Sequence, residues 1–222
     1  MFTHNPLPLK NYPRVTINGK RHYQDIALEV SYPSVTTFLG SKPKEGIEKW
    51  RASVGEEEAN RIMTRAANRG TKFHSLVENY LQNKPITQML DFDDKFRFEA
   101  YKKALAHVDN IRLMEAPLLS HVLKLAGTVD LVADFDGVLS VLDHKTSSKP
   151  KKKEWITDYF LQATCYSIAI EEIYNIKIPQ LVVMIVVEDD PIPQIFVENR
   201  KNFFDILEDR LQEFRSSITS KC

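Results

Sequence analysis

An Asp136-Gly137 pair set between two runs of alternating apolar residues constrains this chain more than any other feature. A type I′ turn needs positive φ at both central positions, and Asp-Gly satisfies that need at little cost, so the pair predicts a β-hairpin. The flanking runs are Leu125 to Phe135 and Val138 to Thr146. A two-residue turn also fixes register. Phe135 faces Val138, and counting outward places Asp130 opposite Asp143 and Thr128 opposite Lys145.

That register carries an electrostatic problem. Directly opposed cross-strand residues hold their Cβ atoms roughly 4.5–5.5 Å apart, and like charges there are destabilising. Two carboxylates so placed must share a proton, recruit a cation or splay apart. A divalent metal is the simplest resolution, because hard cations such as Mg²⁺ take oxygen ligands from carboxylates and substrate phosphates. Period-two geometry brings Lys145 to the face of Asp143 and turns the His144 side chain to the other, leaving the His144 backbone carbonyl to the site. The competing reading is a polar sheet face whose one like-charge pair is relieved by Lys145.

With 222 residues and 43% hydrophobic content, the chain suffices for one domain with a sizeable core. Thirty basic and thirty acidic residues cancel, so any nucleic-acid surface must arise from local segregation. Lys149, Lys151, Lys152 and Lys153 form one cluster and the acids 188–190 another, although lysine clusters are more often solvated surface. Two cysteines, Cys165 in a helical pattern and Cys222 at the end, supply neither a disulfide framework nor the four thiolates of an iron-sulfur or zinc site. No stretch approaches the roughly 18 apolar residues of a membrane span. Residues 1–10 lack the apolar core of a signal peptide, and a cytosolic protein is expected.

Residues 1–33 carry four prolines and short β-like pieces, Arg14 to Asn18 and Gln24 to Val30, around Asn18-Gly19. Ser34 is placed to cap a short helix. Helical spacing runs from Gly46 to Gln82 through Ile62, Ala66, Phe73, Leu76, Val77 and Leu81, with Gly70 marking either a junction between two helices or a close backbone approach. Another helix is expected over Phe92 to Val108. Strands follow over Ile111 to Leu119, Val122 to Leu131 and Val138 to His144, then a helix over Trp155 to Tyr174. Leu181 to Val187 reads as a buried strand, Gln194 to Val197 as an edge strand and Asn202 to Ser216 as an amphipathic helix. The order predicts an α/β fold, a mixed sheet with helices packed on it.

Further polar residues stand at spacings the hairpin could use. Gln162 and Tyr166 are four apart on one helix face. His74 lies beside the apolar stripe of its helix, where a histidine is more often a satisfied core-edge residue than a ligand. Glu115 interrupts an apolar strand and would be costly there if buried unpaired.

Together these residues resemble the PD-(D/E)XK nuclease superfamily, in the branch similar to the RecB nuclease domain and the mitochondrial genome maintenance exonuclease. Gly127 to Asp130 looks like its first motif, Asp143 to Lys145 its D/E-x-K motif, and Gln162 to Tyr166 its Q-x-x-x-Y helix. Arg69 to His74 is similar to its upstream histidine motif and Pro33 to Thr36 to its N-terminal signature. The resemblance implies a restriction-endonuclease-like core over residues 111–222, a mainly helical cover over 34–110 and an N-terminal arm over 1–33, all in one domain. It implies metal-dependent hydrolysis of DNA phosphodiesters, an exonuclease favouring single strands or free ends in replication, recombination or repair. Asp130, Asp143, Lys145, Gln162 and Tyr166 would be catalytic. Mg²⁺, with Mn²⁺ as a substitute, would be held by His74, Asp130, Asp143 and the His144 carbonyl, with Glu115 as an additional acid. Ser34, Thr36, Arg69, Thr71 and Thr146 would contact substrate. Iron-sulfur members need four cysteines, which this sequence lacks, and the missing mitochondrial presequence points to a bacterial or phage-type relative in a bacterial or phage-infected cytoplasm. A structure-specific endonuclease and a catalytically silent nucleic-acid-binding module are the alternatives.

Overall fold

The Asp136-Gly137 turn forms as expected, with φ of 52° and 77°, and joins the two strands at the middle of a five-stranded sheet. The computed structural model describes residues 1–42, 45–87, 90–188 and 190–219; Cys222 and part of the acidic run 188–190 lie outside them. Strands β4 (Val108–Ser120), β5 (Leu125–Phe135), β6 (Val138–Ser147), β7 (Gln180–Val187) and β8 (Asp190–Asn199) lie side by side in chain order. All neighbours are antiparallel except β6 and β7, which run parallel because helix α5 (Thr157–Tyr174) carries the chain back between them.

Helices cover both faces of this sheet. On one side α5 and the C-terminal α6 (Phe204–Thr219) pack with the short α1 (Val35–Leu39) on Val129, Val132, Val141, Val183 and Ile185. On the other, α3 (Glu56–Leu81) and α4 (Phe92–Leu105) bury Phe73, Leu76, Val77, Phe98 and Tyr101 against Leu131, Leu142, Val182 and Met184. β7 is buried along nearly its whole length, as a strand covered on both faces must be. A mixed sheet flanked by helices is thus observed, consistent with the restriction-endonuclease-like core. The segment expected to form a helical cover is divided, because α1 sits on the α5 face and α3 and α4 on the opposite one.

Several local expectations are corrected. The N-terminal hairpin pairs β1 (Arg14–Ile17) with β2 (Lys20–Asp25) across Asn18-Gly19, and β3 (Val30–Pro33) adds to it. The second β piece is therefore 20–25 rather than 24–30, because the two-residue turn dictates an immediate return. This small sheet docks on β5 through buried Tyr23, whose hydroxyl lies 3.0 Å from Thr128 Oγ1. Residues 3–7 hydrogen-bond to Ile111 and Arg112, covering an edge of β4 that would otherwise be open to pairing. α3 runs unbroken through Gly70. The junction with α2 (Glu45–Val54) falls at Gly55, which adopts a positive φ of 85°. Ile62 is exposed because the N-terminal half of α3 runs past the edge of the core. The helix expected to reach Val108 stops at Leu105, freeing Val108 to begin β4. α5 starts at Thr157, after a turn of 3₁₀ helix over Lys153–Trp155.

Candidate active site

The register read from the turn holds from Phe135–Val138 to Leu131–Leu142 and then stops. Asp130 and Asp143 are not a ladder pair, nor are Thr128 and Lys145. β6 continues instead against β7, with Lys145 beside Ile185, while β5 continues against β4, with Thr128 beside Pro117. Where the strands part, the His144 backbone N–H donates to Asp130 Oδ2 at 2.9 Å. A side chain of one strand thus takes the place of a ladder carbonyl, and the like-charge problem is relieved in part by splaying.

A shared irregularity in β4 and β5 aims the first carboxylates. Glu115 adopts a left-handed φ of 45° inside a strand, a conformation costing roughly 1–2 kcal/mol for a non-glycine residue. Leu113 and Ala116, three apart, face the α5-side core, and so do Val129 and Val132 on the paired strand. Strict alternation would put residues three apart on opposite faces, so the pleat resets at Glu115 and Asp130. Both are turned toward α3. There His74 Nδ1 lies 3.7 Å from Asp130 Oδ2 and 3.9 Å from Glu115 Oε1, and ligand atoms of all three residues lie within 4.8 Å of one another.

Asp143 and Lys145 approach from the α5 side. Asp143 is buried, with 2% of its surface exposed. Its Oδ1 accepts from Lys145 Nζ at 2.6 Å and from Gln162 Nε2 at 3.0 Å. Its Oδ2 is buried without a hydrogen-bond partner among the described residues. One oxygen of this carboxylate is thus doubly held and the other is bare, an arrangement suited to a cation at Oδ2.

These groups perturb one another. Burial raises the Asp143 carboxyl to about 6; Lys145 opposes that rise and Asp130 adds to it. Asp130 is also raised, chiefly by burial. Burial would lower Lys145 and His74, but neighbouring carboxylates outweigh it and hold both above their ordinary values. His144 is lowered to about 3 by burial and by the positive charges of His74 and Lys145, so its imidazole is neutral. Its side chain turns away from Lys145, as period-two geometry predicts, and lies 2.8 Å from the Tyr101 hydroxyl.

The other residues singled out by sequence lie at differing positions. The Tyr166 ring passes beneath β5 against Gly127, where a Cβ would meet the Tyr166 hydroxyl at 2.6 Å. Burial pushes the Tyr166 phenol well up. Gly70 faces Thr146, fulfilling the close-approach half of its expectation. Arg69 pairs with Glu188, and the exposed Thr71 donates to the Ala67 carbonyl. Ser34 is buried, caps α1 by accepting from the Thr37 N–H, and exchanges a hydrogen bond with Thr36. Two residues at the site escaped sequence reading. Tyr101 supports His144, and Tyr159 lies under Lys145, its ring centroid 5.2 Å from Nζ. The one available signal was the three-residue spacing of Tyr159 and Gln162 on a helix.

Residues 48–220 match the profile of the PD-(D/E)XK nuclease superfamily. The chain belongs to that superfamily, whose members use divalent metal ions. It is 28% identical over 131 residues to mitochondrial genome maintenance exonuclease 1 of Homo sapiens, covering 54% of this chain and 38% of that protein. To the protein of the same name from Xenopus tropicalis it is 28% identical over 205 residues, 78% of this chain and 57% of the relative. The matches therefore span about two-fifths to three-fifths of those relatives' lengths. A crystal structure of a candidate exonuclease from Eubacterium rectale is similar at a TM-score of 0.45 and 11% identity, over 66% of this chain and 63% of that one.

Proposed function

We propose that the chain is a metal-dependent DNA exonuclease that hydrolyses phosphodiester bonds, prefers single strands or free ends, and acts in replication, recombination or repair. The observation that carries this reading is the doubly held Asp143 with its bare Oδ2, next to Lys145 and across the strand gap from the His74, Glu115 and Asp130 trio. The trio and Asp143 Oδ2 offer the hard oxygen and imidazole donors that Mg²⁺ accepts, with Mn²⁺ favoured slightly by the histidine; the His144 carbonyl is a further candidate ligand. When bound, such a cation supplies charge for the phosphoryl oxygens and a more acidic water.

The protein's own groups do the rest. Gln162 and Lys145 fix the Asp143 carboxylate so that Oδ2 points away from them. The Lys145 ammonium offsets charge on the scissile phosphate or steers the attacking water. Tyr166, wedged against Gly127, keeps β5 at a set distance from α5. Arg61, Arg65, Arg69, Lys72 and Arg97 line one groove with the acids Asp91, Asp94 and Glu188. Although Glu188 and Asp94 pair with Arg69, Lys72 and Arg97, the excess of cations favours a polyanionic strand despite the neutral net charge. Arg69, Thr71 and Thr146 are candidates for phosphate contacts beside it. Ser34 and Thr36 are better read as supports of α1, since their hydroxyls bond to each other. Buried Cys165 is free, which fits a reducing compartment such as a bacterial or phage-infected cytoplasm; the names of the relatives make the mitochondrion the alternative. Among the described residues no helix is long and apolar enough to cross a membrane.

Digestion of end-labelled DNA with Mg²⁺, with Mn²⁺ and with chelator tests the reading. Linear single strands should be degraded only with metal, and Asp143→Ala and Lys145→Ala should abolish cleavage while keeping the wild-type circular-dichroism spectrum at the assay temperature. Cleavage undiminished in either variant would sink the assignment. Linearisation of a circular single strand would replace the exonuclease with an endonuclease. Tight binding of DNA without cleavage under every condition would leave a silent binding module.

A further inference from the structure

Tyr159 lies in the first turn of α5, three residues before the Gln162 that holds Asp143. Its ring centroid is 5.2 Å from Lys145 Nζ, the nitrogen that donates to Asp143 Oδ1 at 2.6 Å. The lysine head therefore has two holders, an anionic carboxylate and an aromatic face. A carboxylate contact alone fixes one distance and leaves the four-carbon stem free to swing. An aromatic face attracts a cation most where water is excluded, and the Lys145 side chain is only 20% exposed. It is the ring face of Tyr159 that Nζ stands over, and the Tyr159 hydroxyl makes no hydrogen bond among the described residues.

The second holder matters because the first is shared. Asp143 Oδ1 already accepts from Gln162, and a cation at Oδ2 would draw charge out of the same carboxylate and weaken its grip on Lys145. An uncharged ring keeps its grip whatever the charge state of its neighbours. We propose that Tyr159 is a positioning residue, its ring face keeping the Lys145 ammonium aimed at the scissile phosphate when Asp143 engages a cation. The proposal rests on the nuclease reading above and adds to it a residue that lies outside the motifs carrying the family resemblance.

The test compares Tyr159→Phe, which keeps the ring, with Tyr159→Leu, which removes it. In ¹³C-lysine-labelled protein without substrate, the Lys145 ε-methylene protons, assigned through Lys145→Arg, should be shifted upfield by the ring in wild type and Y159F and return to ordinary values in Y159L. On a labelled single-stranded oligonucleotide with saturating Mn²⁺, Y159L should lose roughly tenfold in kcat with KM within about twofold, while Y159F stays near wild type. Should Y159L fail to fold, Tyr159→Met offers similar reach without a π face and carries the same expectations. Identical ε-methylene shifts in wild type and the ring-less variant would overturn the proposal. So would an unchanged kcat in that variant, or a Y159F as impaired as Y159L, which would assign the role to the hydroxyl. If wild type cleaves nothing, the nuclease reading fails on its own, and the ε-methylene shift still decides whether Tyr159 holds Lys145.

Discussion

At the scale of single residues, Asp143 links charge and stability, and the proposed function adds a metal to them. Its carboxyl is raised to about 6 in the fold, against ~4 for an ordinary aspartate. The native metal-free protein therefore keeps a proton that the unfolded chain gives up, and this group's contribution to stability is lost as pH rises from ~4 through 6. A cation at Oδ2 should restore it. The gain in melting temperature on adding Mn²⁺ to chelator-treated protein is expected to be small at pH 5 and full above pH 7; a gain independent of pH would show that Asp143 takes no part. Gly127 is a second such point. Gly127→Ala drives a methyl into the Tyr166 hydroxyl and should cost about 1–3 kcal/mol in urea unfolding. Part of that loss should return with Tyr166→Phe, which removes the tightest contact; a neutral G127A would mean that Tyr166 moves freely.

At the scale of elements, the β5–β6 hairpin was readable because Asp136-Gly137 admits one economical turn and that turn admits one register. Gly137→Ala meets nothing within 4 Å, so its cost is the backbone strain of a φ of 77°, roughly 1–2 kcal/mol. A denaturation midpoint unchanged in this variant would contradict the strain. The end of the ladder was not readable. It depends on a side chain, Asp130, competing for the His144 N–H, and on the left-handed Glu115, which no local spacing encodes. The same limit explains Gly70: helical periodicity is silent on whether a small residue breaks a helix or lets Thr146 approach, and the sheet's position under α3 decides.

At the scale of the whole molecule, two helical layers enclose a sheet whose central residues are buried on both faces. Cys165 sits in that interior, and burial lifts its thiol to about 12. In a Cys222→Ser background the remaining thiol should resist a neutral-pH disulfide reagent and react at the rate of unfolding, reaching full labelling only in denaturant; fast labelling of the folded protein would refute the packing. By itself the sequence determined the central hairpin and its register from the turn out to Leu131 and Leu142, and it offered Asp130, Asp143, Lys145, Gln162 and His74 as candidates. The hairpin and the acidic pair follow from alternation and turn chemistry, which are local, whereas His74 and Gln162 became candidates only through the family resemblance. Only the tertiary structure decided that His74, Glu115 and Asp130 meet on the α3 side while Asp143, Lys145, Gln162 and Tyr159 meet on the α5 side. That division arises because the pleat resets in two paired strands and the ladder opens between β5 and β6, events set by contacts among residues far apart in the chain.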